Sequence, residues 1–290
     1  MVGAVFRPVK RVNLRDAMPR PFLKWAGGKR QLLPELEKRV AKARPHGRYH
    51  EPFVGGGALF FHLCRRGALG DAAAFLSDNN PRLIEAYQGV QQDVEGVIAL
   101  LEKHQAAHCQ EHYYAVRAST PEDPLARAAR VIYLNRTCFN GLYRENSKGA
   151  FNVPMGRYKN PRICDAANMR AVSAALGNCT LECRPFQAVL EHAEPGDFVY
   201  FDPPYDPVSK TANFTSYHQE QFGEAAQAEL AEVFRELDRR GVKALLSNSD
   251  TPLIKELYRG FRVDYVMAAR LVNRDADKRG KVREVLVRNF

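Results

Sequence analysis

A chain of 290 residues, 45% of them hydrophobic, has the material for one large α/β domain or for a core domain carrying an insertion. No apolar run approaches the length of a membrane span, and the N-terminus (MVGAVFRPVKRVNLRDAMPRP) is basic without an apolar stretch or a small-residue cleavage site, so a cytoplasmic protein with no membrane association is expected. The net charge of +10 points toward a polyanionic partner, although a basic protein need not bind nucleic acid.

Residues 1–20 read as a basic, partly disordered arm. Pro21 opens the segment PFLKWAGGK, which holds the only tryptophan, Trp25, beside Gly27, Gly28 and Lys29. It is no Walker A loop, because the GxxxxGK[ST] frame is missing and Arg30 follows Lys29. Tyr49 to Phe53 is a strand candidate running into Gly55-Gly56-Gly57 and an apolar stretch, the pattern of a tight strand-to-helix turn with bare N–H groups. Ala73–Ser77 reads as a second strand, ending in Asp78. Asn80 then caps a helix with Pro81 at its first position, and that helix should run past Leu100.

The alternation of strand and helix stops between Gln105 and Gly177, where helical patterns cover Pro124–Asn135 and Asp165–Leu176 around a polar loop from Thr137 to Pro161. Residues 105–177 therefore read as an inserted recognition domain, with 21–104 and 178–290 forming the main domain. The rhythm resumes with strand Thr180–Cys183, helix Pro185–His192 and strand Phe198–Phe201. Helix Gln221–Arg239 stops at Gly241. Strand Val242–Ser247, helix Pro252–Tyr258, strand Phe261–Ala268 and an alternating stretch Lys281–Phe290, expected as an antiparallel edge strand, follow. The whole predicts a mostly parallel, twisted sheet of an α/β fold with helices on both faces.

Phe201-Asp202-Pro203-Pro204-Tyr205 puts a carboxylate at the carboxyl end of a strand, where open α/β sheets place their chemistry. Two prolines then restrict the backbone, fixing carbonyl acceptors beside the Tyr205 ring. Such a group suits a flat, amino-bearing heterocycle; an ordinary proline turn leaving a strand fits the tetrapeptide equally well. Asp78 fits ribose hydroxyls or a turn cap. Trp25 and Lys29 fit a ligand's flat face and carboxylate, or a core residue and a surface cation. Ser209, Thr211, Asn213 and Tyr217 fit a polar loop.

Six cysteines without a CxxC pair and eight histidines without HExxH spacing indicate no protein-bound metal; reduced structural thiols are expected. Arg144, Lys148, Arg157, Lys159 and Arg162 crowd the polar loop among Asn, Gly and Tyr, and a second basic run spans Arg270 to Arg283, a composition suited to a nucleic-acid backbone.

PFLKWAGGK, EPFVGGGALFF, SDNNP, RTCFNGLYRxN, FNVPMGRYKNP, YFDPPYDPVSKTANFTSYH and LLSNSD occur in this order from Pro21 onward. Together they resemble the Dam-type (D12 class) DNA adenine-N6 methyltransferases, which include GATC-specific restriction–modification relatives. The resemblance implies the S-adenosylmethionine-dependent methyltransferase fold with a seven-stranded sheet. It implies cofactor contacts from Trp25, Lys29, Phe53, Gly55, Asp78 and Asp202, catalysis at Asp202, Pro203, Pro204 and Tyr205, and no metal. It implies contacts to double-stranded DNA from Lys24, Asn140, Leu142, Arg144, Arg157 and Tyr158, with Arg144 suited to guanine O6 and N7; phosphate positioning alone is as good a reading of Arg157. Tyr143 stands where a cysteine is expected in the Dam branch. A monomer is expected, and pairing with a restriction endonuclease stays open.

The mechanism implied is direct transfer. Asp202 and the Pro203 carbonyl would accept the two amino hydrogens of adenine, freeing the nitrogen lone pair, with no covalent enzyme intermediate. A base in a duplex must flip out to reach such a pocket and would stack on Tyr205. Other readings are a methyltransferase acting on RNA or protein amides, since related tetrapeptides serve other planar amino groups, and a DNA-binding protein with a dead methyltransferase fold; no damage to the motifs is visible for the latter.

Overall fold

The structure, a computed structural model, describes residues 18–25, 27–29, 31–207, 222–269 and 281–290. The arm up to residue 17, Arg30, the polar positions Ser209, Thr211, Asn213 and Tyr217, and the basic stretch from Arg270 to Arg279 lie outside the described residues.

Among the described residues, seven strands form one sheet: β1 (Tyr49–Glu51), β2 (Ala74–Asp78), β3 (Cys179–Cys183), β4 (Phe198–Phe201), β5 (Lys243–Ser249), β6 (Arg262–Ala269) and β7 (Lys281–Arg288). Their order is β3-β2-β1-β4-β5-β7-β6. β1 to β5 pair in parallel, and β7 is antiparallel to both of its neighbours. The helices are α1 (Leu33–Ala43), α2 (Ala58–Arg66), α3 (Pro81–Gln92), α4 (Val94–Ala106), α5 (Gln110–Ala118), α6 (Pro124–Thr137), α7 (Ala166–Leu176), α8 (Val189–His192), α9 (Glu224–Arg239) and α10 (Pro252–Leu257).

Two apolar layers sandwich the sheet, and the central strands feed them alternately. Phe198 and Tyr200 of β4 join the layer of α1 to α4, α6 and α7, whereas Val199 and Phe201 join that of α8, α9 and α10. β4 is therefore apolar at every position, as a strand covered on both faces must be. Phe201 is wholly buried, so its truncation to alanine should destabilise the fold by about 3–5 kcal/mol. That packing makes the strand end a rigid base for Asp202.

β7 departs from the sequence expectation. It is antiparallel, as its position suggested, but it is not the edge: it lies between β5 and β6. Val285, Leu286 and Val287 are all fully buried, with Leu286 in one layer and its neighbours in the other. An alternating pattern shows that a strand has two faces but not how many of them are covered. The helix expected from Pro81 past Leu100 is also two helices. Asp93 ends α3 and its side chain accepts from Gly96 N–H to cap α4. α5 had no counterpart in the sequence reading, and the strand expected at Tyr49–Phe53 ends at Glu51. Asn80 caps α3 as anticipated, accepting from the N–H groups of Arg82 and Leu83. α6 packs along α3 and α4, and α7 against α2, α3 and α4. No helix among the described residues is long and apolar enough to cross a membrane.

Candidate active site

β1 and β4 are neighbours, and the chain leaves them toward opposite ends of the sheet, β2 and β3 on one side and β5 on the other. A ligand crevice forms beyond the carboxyl ends of two such strands. Asp202 directly follows β4. Its Oδ1 lies 2.8 Å from Lys29 Nζ and accepts from Ser247 Oγ at 3.0 Å. Lys29 Nζ also donates to the Gly27 carbonyl at 2.9 Å and stands 4.4 Å from the centre of the Tyr205 ring. Burial pushes the Asp202 carboxyl above the usual carboxylate range, and Lys29 and Ser247 pull it back.

The Pro203–Pro204 turn is clamped from outside. Gln227 Nε2 of α9 donates to the Pro204 carbonyl at 2.9 Å, and Asn248 Nδ2 of β5 donates to Gln227 Oε1 at 3.1 Å. Asn248 Oδ1 accepts from Asp206 N–H at 3.1 Å. Tyr205 donates its hydroxyl to Glu284 Oε2 of β7 at 3.0 Å. Burial, helped by the Asp202 charge, keeps the Tyr205 phenol well above its ordinary value, so it remains a donor. Among the described residues, no donor meets the Pro203 carbonyl or Asp202 Oδ2.

The other half of the site follows β1 and β2. Gly55 adopts φ +47°, and a Cβ there would lie 3.0 Å from Trp25 Cδ1, so glycine lets the indole close over the turn. Gly55 N–H donates to Asp78 Oδ2 at 3.1 Å, and Asn80 N–H to Asp78 Oδ1 at 3.0 Å. Asp78 thus braces the turn, the local role left open from sequence, and is held at the end of β2. Phe53 stacks on Phe186 with ring centres 5.4 Å apart and meets Phe222 edge-on at 5.5 Å. Beneath the turn, Glu51 is buried at the end of β1 and accepts from the Tyr49 hydroxyl at 2.8 Å. Burial, with the Asp202 charge nearby, pushes its carboxyl up to about 8.

The polar loop folds back on itself through antiparallel bridges at Cys138–Met155 and Glu145–Phe151. Phe139 and Leu142 expose 48% and 41% of their surface at one end, unusual for large apolar side chains. Between them Asn140 takes φ +54° and is exposed. Arg144 is exposed, with Nε donating to Asn152 Oδ1 at 2.6 Å; Lys148, Arg157, Lys159 and Arg162 are exposed as well, and Tyr158 is half-buried. The hairpin is fastened to the PFLKWAGGK segment. Asn135 of α6 accepts from Lys24 N–H at 2.6 Å and donates to the carbonyls of Lys24 and Gly141 at 3.1 and 3.0 Å. Gly141 has φ +65°, and a Cβ there would fall 2.4 Å from the Lys24 carbonyl. Trp25 and Tyr143 face each other at 5.4 Å.

Asp202, Tyr205 and Lys29 therefore meet, as do Trp25, Gly55 and Asp78, with Phe53 following β1 nearby. Asn140, Leu142, Arg144 and Arg157 share the exposed hairpin. Lys24 is engaged within the protein: its Nζ donates to the Arg136 carbonyl at 3.2 Å and lies 3.8 Å over the Tyr158 ring. Burial and the Arg136 guanidinium lower its proton affinity. Sequence reasoning missed Gln227, Ser247, Asn248, Asn135 and Phe186. The signal for the first four was polar residues inside apolar stretches, as in LLSNS, which fold only with partners. Among the described residues, no group of His, Cys, Asp and Glu is arranged to hold a metal ion.

A seven-stranded sheet with one antiparallel strand beside its edge, a glycine turn after β1 and an acidic residue ending β2 define the methyltransferase fold. Residues 25–271 match the family model of the D12 class N6 adenine-specific DNA methyltransferases, and the chain belongs to that family. Type II methyltransferase M1.LlaDCHI of Lactococcus lactis subsp. cremoris is 42% identical over 97% of this chain and 97% of its own length. Type II methyltransferase M.MjaIII of Methanocaldococcus jannaschii is 42% identical over 93% and 99%. The DNA adenine methylase of Escherichia coli K12 is 36% identical over 92% and 94%. The chain is an adenine-specific DNA methyltransferase.

Proposed function

We propose that this enzyme takes its methyl group from S-adenosylmethionine and places it on N6 of an adenine flipped out of duplex DNA, within GATC. The observation that carries the reading is a pair of acceptors that meet no donor among the described residues, Asp202 Oδ2 and the Pro203 carbonyl, on a turn clamped by Gln227 and Asn248. Two fixed acceptors match the two hydrogens of an exocyclic amine.

The residues of the crevice fit the cofactor. A cradle where a Cβ would strike Trp25, a carboxylate at the end of β2 and the Phe53–Phe186 face suit a nucleoside with a charged amino-acid tail. Trp25, Lys29, Phe53, Gly55, Asp78 and Asp202 would hold it. When bound, S-adenosylmethionine supplies an electrophilic methyl on a positively charged sulfur.

Asp202 and Pro203 draw the amine out of conjugation with the purine, and the rigid turn spares reorganisation at the moment of reaction. Tyr205 offers a ring against which the base stacks; Lys29 lies over the same ring and must share that space. Residues 105–177 act as the recognition insert, presenting Asn140, Leu142 and Arg144 to base edges while Arg157 serves the phosphates. GATC is supported by the resemblance of the hairpin's RTCFNGLYR sequence to that of the Dam-type family. Service beside a restriction endonuclease is supported by relatives named Type II methyltransferases.

The test offers tritiated S-adenosylmethionine with duplex DNA, RNA and protein to the wild type and to Asp202→Ala. Label in duplex DNA, recovered as N6-methyladenine within GATC and lost with Asp202→Ala, is expected. Label in RNA or protein alone would overturn the substrate, and near-normal turnover by Asp202→Ala the mechanism.

A further inference from the structure

We propose that Ser247 is a positioning residue for methyl transfer: its hydroxyl, backed by that of Tyr200, holds the Asp202 carboxylate so that Oδ2 faces the target amine. This rests on the reading that Asp202 accepts from that amine. β4 and β5 pair in parallel with Phe201 opposite Leu246, which puts Asp202 and Ser247 one step further at the same strand ends. Ser247 is fully buried, and its strand is paired again on the other side, with Leu286 opposite it. Its backbone is thus fixed, and its hydroxyl has few places to turn.

The direction of the bonds follows from the partners. An ionised carboxylate can only accept, so Ser247 Oγ donates to Asp202 Oδ1 at 3.0 Å. Its one proton is then used, so the Tyr200 hydroxyl, 3.0 Å away, donates to Ser247. Lys29 takes the same Oδ1 at 2.8 Å. Two donors on one oxygen set the plane of the carboxylate and leave Oδ2 for substrate. A serine without partners would be unfavourable at so buried a point, and both of its partners lead toward the reaction centre. The charged and titratable groups around Asp202 are Lys29, Glu51 at the end of β1, Tyr200 on β4 and Tyr205 in the turn, with Glu284 of β7 behind Tyr205. Of these, Lys29 favours the ionised form of Asp202, as Ser247 does.

The experiment measures single-turnover methylation of a GATC duplex across pH for the wild type, Ser247→Ala and Tyr200→Phe. Loss of a hydrogen bond to a charged group should slow transfer by Ser247→Ala about 10- to 100-fold, with the KM values for DNA and cofactor within about twofold of wild type. Its acid limb should move to higher pH, because the carboxylate has lost a donor. Tyr200→Phe should show a smaller effect of the same sign, and it carries the test if Ser247→Ala does not fold. Wild-type rates and an unmoved acid limb in the variants overturn the proposal while leaving the role of Asp202 intact. A merely structural serine would lower the melting temperature and leave both readouts unchanged. A wild type that transfers nothing to duplex adenine removes the reading of Asp202, and the role of Ser247 with it.

Discussion

Lys29 and Asp202 form an ion pair at 2.8 Å, with 10% and 19% of their side chains exposed. The lysine read from sequence as a partner for a ligand's carboxylate has its nearest carboxylate within the protein. It joins the segment that carries Trp25 to the turn that carries Tyr205, and so links the two halves of the crevice.

Breaking that pair should be expensive. Lys29→Ala leaves a buried carboxylate without its cation, which costs about 3 kcal/mol or more. Burial already raises the proton affinity of Asp202, and losing Lys29 raises it further. A carboxyl whose folded-state pKa lies above its unfolded value contributes most at acidic pH, and that contribution is lost as pH rises through the folded-state value. The variant should therefore lose more stability at neutral than at acidic pH, and its activity should need a higher pH. Melting curves and rate profiles across pH check this; a uniform loss at every pH would deny the pair its electrostatic role.

Glu51 makes a separate pH prediction. Its carboxyl, ordinarily near 4.5, is held at about 8 in the folded chain. Stability should therefore fall as pH rises from about 4.5 to about 8 and level off beyond. Glu51→Gln, which keeps the shape without the charge, should melt several degrees above wild type on the alkaline side and close to wild type near pH 5. Equal melting shifts at both ends would show that the residue is not protonated in the fold.

Asp78→Ala should weaken cofactor binding by about 1–3 kcal/mol, the range for a lost charged hydrogen bond. Because Asp78 also braces Gly55 and Asn80, Asp78→Asn is the better control: its side-chain oxygen can keep one of these contacts. Titration calorimetry with S-adenosylmethionine decides it, and unchanged affinity in both variants would leave Asp78 as a turn brace alone.

The exposed hairpin should divide into base readers and phosphate contacts. Arg144→Ala should cost about 1–3 kcal/mol and relax discrimination at one base pair. Lys159→Ala should weaken all duplexes alike and reduce the salt dependence by about one unit of slope. The comparison is between GATC and a duplex with one outer pair changed, titrated against each variant. Equal losses on both duplexes for Arg144→Ala would assign it to backbone positioning.

Trp25 and Tyr143, ring against ring at 5.4 Å, connect the cofactor crevice to that hairpin. Tyr143→Cys, the residue expected at this position in the Dam branch, removes the ring contact. The variant should bind cofactor about threefold to thirtyfold more weakly, the range for an aromatic pair and its buried area. Wild-type affinity would show that the two regions are only neighbours.

Much of the site was legible in the chain because local patterns carry local geometry. The apolar run of β4 announced a buried strand, so Asp202 could be placed at its end, and Asn80 with Pro81 marked the start of α3 one step beyond Asp78. The break between α3 and α4 is written there too, in Asp93, but a single capping residue amid good helix formers does not interrupt the helical pattern. β7 could be called antiparallel but not placed between β5 and β6, since alternation does not say what covers each face.

By itself the sequence determined the family, the strand ends that bear Asp78 and Asp202, and the order of motifs along the chain, because these depend on residues close together in the chain. Only the tertiary structure decided that Lys29 pairs with Asp202, that Ser247 and Tyr200 stand behind that carboxylate, and that Lys24 is engaged with Arg136 and Tyr158. Those partners lie on separate elements. They meet because both faces of the sheet must be covered, and burying apolar surface, which has no directional preference, brings the elements together; the polar groups carried along then fold only where each finds a partner.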